Sequence, residues 1–154
     1  KDLVIIKPTM AIKVKINMTT LTGIAHSGSG SITGTGAFSN DEKTSFSVSG
    51  SGNIRLGFEE FNAADIQLSG SGMIQLTGEI SNTLNIRQSG SGKIDCSAAT
   101  CTYADVKISG SGNAKINTTG HLSVNISGSG KVLYTGPVTT VDSHISGSGR
   151  IERM

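Results

Sequence analysis

The 154-residue sequence has no tryptophan, two tyrosines and four phenylalanines, so aromatic residues make up only 4% of it. Any core must therefore be built mainly from aliphatic rows, and no basic run interleaved with aromatics suggests a nucleic-acid surface. Charge is sparse: 16% of residues are charged and the formal net charge is +2. That excludes a highly charged disordered chain and any strong pull toward nucleic acid or anionic lipid. The longest apolar run is Leu3-Val4-Ile5-Ile6, far short of the roughly 20 residues of a membrane-spanning helix. Two cysteines, Cys96 and Cys101, cannot form a structural zinc site unaided. No signal peptide is visible, and because the chain starts at Lys1 rather than Met it reads as trimmed, with any export signal out of view.

What the sequence has in excess is glycine, 21 residues, and 14 of them belong to a single four-residue word. SGSG begins at residues 27, 49, 69, 89, 109, 127 and 146, with spacings of 22, 20, 20, 20, 18 and 19. A repeat near 20 residues points to stacked units. A Gly/Ser-rich composition alone would instead suggest flexible linkers.

The flanks of the words decide between the two. Two places past the word stand Ile32, Ile54, Ile74, Ile94, Ala114, Val132 and Ile151; just before it stand His26, Val48, Leu68, Gln88, Ile108, Ile126 and Ile145. The residues between these columns are mostly polar, as in Ser31, Asn53, Met73, Lys93, Asn113, Lys131 and Arg150. This is period two, the mark of strands with one buried face; a linker would show no such phase. The phase runs through the word and sets its glycines inward, among them Gly50, Gly52, Gly70, Gly72, Gly90, Gly92, Gly110, Gly112, Gly128 and Gly130. The serines then face out. Each word reads as the corner or narrow wall of one coil, with a strand leaving on either side.

The intervals are too short for strand–helix–strand crossovers and show no helical period. The expected fold is all-β: a single-stranded parallel β-helix of about seven coils, one word per coil, right-handed as parallel crossovers prefer. One solenoid domain is expected over residues 1–154, either whole or lacking N-terminal coils. Leu3–Lys7 and the alternating stretch Met10–Met18 read as strands of an earlier coil, and the interval holding "SNDEK" as a protruding loop.

The units "VSGSGNIRL", "LSGSGMIQL", "ISGSGNAKI" and "ISGSGKVLY", with the basic strand "AIKVKINM" before the first word, resemble the head GIN domain family of auto-transporter adhesins. The likeness covers nearly the whole chain. It implies a right-handed parallel β-helix of pectin-lyase-like shape, an exported bacterial protein of the cell surface, outer membrane or periplasm, and a role in adhesion with no established catalytic residues.

Stacked words would place serine hydroxyls in columns about 4.8 Å apart per coil. Ser69, Ser71, Ser89, Ser91, Ser109 and Ser111 are accordingly candidate contacts for a glycan or a surface protein. The competing reading makes the serine ladder purely structural. Asp65 and Asp105 share an outward column with Asn85, Ser123 and Asp142. They could hold a sugar or a loose cation, or be solvated turn residues. A polysaccharide-active enzyme would need two carboxylates facing one cleft, and no catalytic constellation can be assembled here. The Gly-rich words lack the Lys-Ser/Thr and helix of a phosphate-binding loop and the aspartates of calcium solenoids. No cofactor and no metal is expected. Cys96 takes an inward place, as a buried thiol or as half of a disulfide with Cys101. Unpaired strand edges at a solenoid end make a homo-oligomer through that end a further expectation.

Overall fold

The computed structural model describes residues 13–154. The described chain is a parallel β-solenoid of about 7 turns without a helix. Its strands are β1 (Gly23–Gly28), β2 (Ser31–Thr35), β3 (Ser39–Gly50), β4 (Asn53–Gly70), β5 (Met73–Gly90), β6 (Lys93–Gly110), β7 (Asn113–Gly128), β8 (Lys131–Thr135), β9 (Thr140–Gly147) and β10 (Arg150–Arg153). All pairings between them are parallel, and each coil stacks on the coil before it.

The central strands each make nearly a full circuit. At 18 residues, β4 would stretch about 60 Å if straight, so it has to bend. Its bend lies where the register against β5 slips, between Gly57 and Glu60 and again between Phe61 and Ala63. A coil thus has an upstream wall running into its word, a downstream wall leaving it, and a bulged corner opposite the word.

The aliphatic columns point to the axis as the alternation requires. Ile54, Ile74, Ile94, Ala114 and Val132 are all fully buried, as are Ala64, Leu84 and Leu122 in another column. The fully buried rings lie in the early coils, where Phe58 stacks on Phe61 with ring centroids 4.1 Å apart. At the bulged corner the inward residue shrinks in register from Phe61 to Ile80 to Cys101 to Thr118.

At the word the two glycines differ. Strands end on the first one, such as Gly90 at φ 108°, a conformation that L side chains rarely adopt. It is therefore a turning point and only partly buried, not a plain inward position. The second glycine is buried in the middle coils, as at Gly72, Gly92 and Gly112, as expected. The ladder continues around the corner: Ser91 N donates to Gly70 O at 3.0 Å and Lys93 N to Gly72 O at 3.0 Å.

Two expectations need correction. Residues 13–22 form no strand, and Val14 and Ile16 are 79% and 70% exposed. Only its end meets a strand, where Ser45 N of β3 donates to Thr22 O at 3.1 Å; residues 14–17 pass beside β2, β4 and β5 across a gap of about 670 Å³. The rest of the proposed early strands, Leu3–Lys7 included, lies outside the described residues. The "SNDEK" stretch is not a protruding loop but part of β3, with a bulge between Asn40 and Lys43. Asn40 closes that bulge: its Oδ1 accepts from Glu42 N at 2.9 Å and its Nδ2 donates to Thr44 Oγ1 at 3.1 Å.

Candidate binding surface

The parallel register lines up the first serine of every word. Ser27, Ser49, Ser69, Ser89, Ser109, Ser127 and Ser146 are Cα partners in sequence. All word serines are exposed. Among the described residues no hydrogen bond ties their hydroxyls to one another, so the ladder is held by main chain and leaves its hydroxyls free.

Beside this column runs a groove of about 500 Å³, parallel to the solenoid axis. One bank is Ser49, Ser69, Ser89, Ser109 and Ser127; the other is Ser47, Gln67, Arg87, Lys107 and Asn125. Between them lie Val48, Leu68, Gln88 and Ile108, whose side chains point inward, so the floor is main chain. Of the expected contacts, Ser69, Ser89 and Ser109 line the groove. Ser71, Ser91 and Ser111 sit around the corner from it. Arg87 and Lys107 were not foreseen as ligand contacts, although their outward phase was legible in the alternation.

Asp65 and Asp105 lie one column further from the word, on the same outer wall and outside the groove lining. They stand two coils apart with Asn85 between them. Lys43 Nζ reaches Asp65 Oδ2 at 2.8 Å and Asn85 Nδ2 donates to Asp65 Oδ1 at 2.8 Å. Partial burial pushes this carboxyl up, but the hydrogen bonds from Lys43 and Asn85 and the charges of Lys43 and Arg87 outweigh it. Asp65 is held below the usual carboxylate range. A general acid on a sugar needs the opposite shift. Asp105 is paired instead with Lys107, at 3.0 Å.

Next to Asp105 on this wall is Tyr103, 51% exposed, which the sequence reading passed over. Its neighbours in register are Thr83 and His121. His121 Nε2 in turn lies 2.8 Å from Asp142 Oδ2. Cys96 and Cys101 are both buried free thiols, so the disulfide alternative is not realised. Burial pushes Cys101 up to about 11 and Cys96 higher still. Among the described residues no group of three or more His, Cys, Asp or Glu is placed to hold a metal ion, and no helix is long and apolar enough to cross a membrane.

A parallel β-solenoid with hydroxyl columns along one edge and a shallow groove beside them is a repeat protein with one regular outer surface. Residues 4–137 match the family described as "Putative auto-transporter adhesin, head GIN domain", and the chain belongs to that family. The description implies an exported, cell-surface protein with an adhesin-like role. No curated protein and no solved structure matches the chain.

Proposed function

We propose that the protein is a non-catalytic adhesin-like module, displayed at the cell surface, on the outer membrane or in the periplasm, that binds a glycan or protein along the serine-edged groove. The observation that carries this reading is the groove itself. It is about 500 Å³, open along the axis, and banked by hydroxyls, amides and two cationic side chains across successive coils. Such a surface offers many equivalent hydrogen bonds to an extended ligand and no convergent pair of titratable groups for bond cleavage. A regular spacing of about 4.8 Å per coil lets a repeating polymer make the same contact several times, which multiplies weak contacts into useful avidity.

The test is a glycan array together with a cell-adhesion assay, using the whole chain and the variant Ser69→Val/Ser89→Val/Ser109→Val. Binding to a glycan or to intact cells that the triple variant loses supports the groove. Binding that the triple variant retains in full removes it. Turnover of a polysaccharide, abolished by Asp65→Asn or Asp105→Asn, would instead establish the enzyme.

A second reading, end-to-end assembly, draws on the last coil. There β9 is exposed along its whole length, and Val141 and Ile145, at inward places, are 41% and 39% exposed. A further coil from the same polypeptide or from a second copy would cover them. Sedimentation velocity decides between these: association that Ile145→Asp abolishes supports a second copy, and a monomer at every concentration removes it.

A further inference from the structure

Tyr103 is out of place in a chain that hides its rings. Among the described residues Phe46, Phe58 and Phe61 are buried, and Phe38 and Tyr134 pack partly buried against the core. Only Tyr103 stands half open, on the flat outer face of the upstream wall, in the middle of the stack. Its setting is dense in hydrogen-bonding groups held by the rigid parallel register. Asp105 follows it on the same face of the strand, and His121 is its partner on the next coil. Beyond them the face is charge-balanced, with Lys107 Nζ 3.0 Å from Asp105 Oδ2 and His121 Nε2 2.8 Å from Asp142 Oδ2.

An exposed ring with a polar rim and little net charge suits a ligand that is apolar on one side and hydroxylated at its edge. A pyranose has that form: its C–H face lies on an aromatic ring, and its hydroxyls reach carboxylates and imidazole at the rim. A polyanion would gain little from Lys107 and His121, which already face Asp105 and Asp142. A peptide would need a strand edge or an apolar pocket, and this wall offers an interior sheet face. Tyrosine also supplies large contact area at low entropic cost. We propose that Tyr103 anchors a saccharide subsite for an uncharged pyranose unit, with Asp105 and the His121–Asp142 pair receiving its hydroxyls. This rests on the glycan form of the proposed function and adds to the groove a second, chemically distinct contact one column beyond Asp105 and Lys107.

The experiment titrates the whole chain with cellohexaose, mannohexaose and chitohexaose, and with polygalacturonate as the charged comparison, by calorimetry. The variants are Tyr103→Ala, Tyr103→Trp and the groove variant Ser89→Val. Because Tyr103 is exposed, its variants should melt like the wild type, and Tyr103→Trp keeps the ring if Tyr103→Ala does not fold. The expected result is that an uncharged hexasaccharide binds and that Tyr103→Ala weakens it by about tenfold or more, as loss of an aromatic anchor does. Tyr103→Trp should retain binding, with its fluorescence changed on addition of sugar. Binding unchanged in Tyr103→Ala but lost in Ser89→Val overturns the subsite and leaves the groove standing. Binding of polygalacturonate alone overturns the uncharged class. No binding of any probe by the wild type overturns both the subsite and the glycan form of the function, leaving a protein ligand.

Discussion

Leu68 lies directly beneath Gly92: a β-carbon on Gly92 would come 2.6 Å from Leu68 Cδ2 and 2.6 Å from the carbonyl oxygen of Gly72. The side chain that closes one wall is thus roofed by the second glycine of the next word. Ile108 under Gly130 and Ile126 under Gly149 repeat the arrangement. The first glycine of the word is needed for a different reason, the positive φ at which the strand turns.

The two glycine roles predict different couplings. Gly92→Ala should cost about 1–3 kcal/mol by overpacking, and Gly90→Ala about 1–3 kcal/mol by backbone strain. In denaturant melts, Leu68→Ala should cost less in the Gly92→Ala background than in the wild type, because the cavity accepts the added methyl. In the Gly90→Ala background no such relief is expected. Equal, additive costs in both pairs would show that Leu68 and Gly92 do not share one space.

Truncating an axial residue should far outweigh losing a ladder hydroxyl. Ile74→Ala or Ile94→Ala removes a fully buried side chain and should cost about 2–5 kcal/mol. Ser71→Ala changes an exposed side chain without a bonding partner and should fall within about 0.5 kcal/mol. A larger loss for the serine variant, measured by urea unfolding, would invert the assignment of inside and outside.

Gln88 breaks the aliphatic column that holds Leu68 and Ile108. It is buried, its Nε2 donates to Gly92 O, and its Oε1 has no partner. Gly92 O also accepts from Asn113 N at 3.1 Å, so it is not orphaned when Gln88 is replaced. Gln88→Leu therefore removes an unsatisfied buried acceptor at little loss and should raise stability by about 1 kcal/mol. A lower melting point than the wild type would mean that the amide bonds something further in solution, such as a buried water.

The repeat made most of this architecture readable. Once Ile54, Ile74 and Ile94 fall in one phase, stacking follows, because each inward row is buried only by its neighbours above and below. The same logic failed where the period was not locked to a word. Met10–Met18 alternates like a strand, yet residues 13–18 make no pairing, since alternation supplies a face but not a partner edge. "SNDEK" looked like a loop because it is polar, but Asn40 satisfies the bulge with its own side chain. The groove was half legible: the serine bank follows from the word, while Arg87 and Lys107 occupy a column that varies from coil to coil. Tyr103 carried no periodic signal, and only its exposure sets it apart.

Stability should respond to acid through Asp65. Its folded pKa lies below the usual carboxylate range, so the native state binds its proton less readily than the unfolded chain does. The resulting stabilisation is fully present above the unfolded pKa and is lost as pH falls through the folded one. In the wild type, then, unfolding free energy should decline below about pH 4. Asp65→Asn should lower stability at pH 7 and flatten that decline. A variant that keeps the full acid slope would assign it to other carboxylates, Asp95 first, whose pKa is also lowered.

The cysteines should report global unfolding. Cys96 is fully buried and Cys101 nearly so, and burial raises both thiols, Cys101 to about 11. Reaction with a disulfide reagent requires thiolate and access, and at pH 8 the native coil offers neither. Labelling should therefore be negligible in buffer and should rise along the same denaturant curve as the loss of β-sheet circular dichroism. Cys96→Ser, which puts a hydroxyl at a fully buried place in register with Ile116, should cost about 1–3 kcal/mol and shift both curves together. Rapid labelling of one thiol in buffer, with the sheet signal intact, would show instead that the bulged corner around Cys101, where it pairs with Thr118, opens locally.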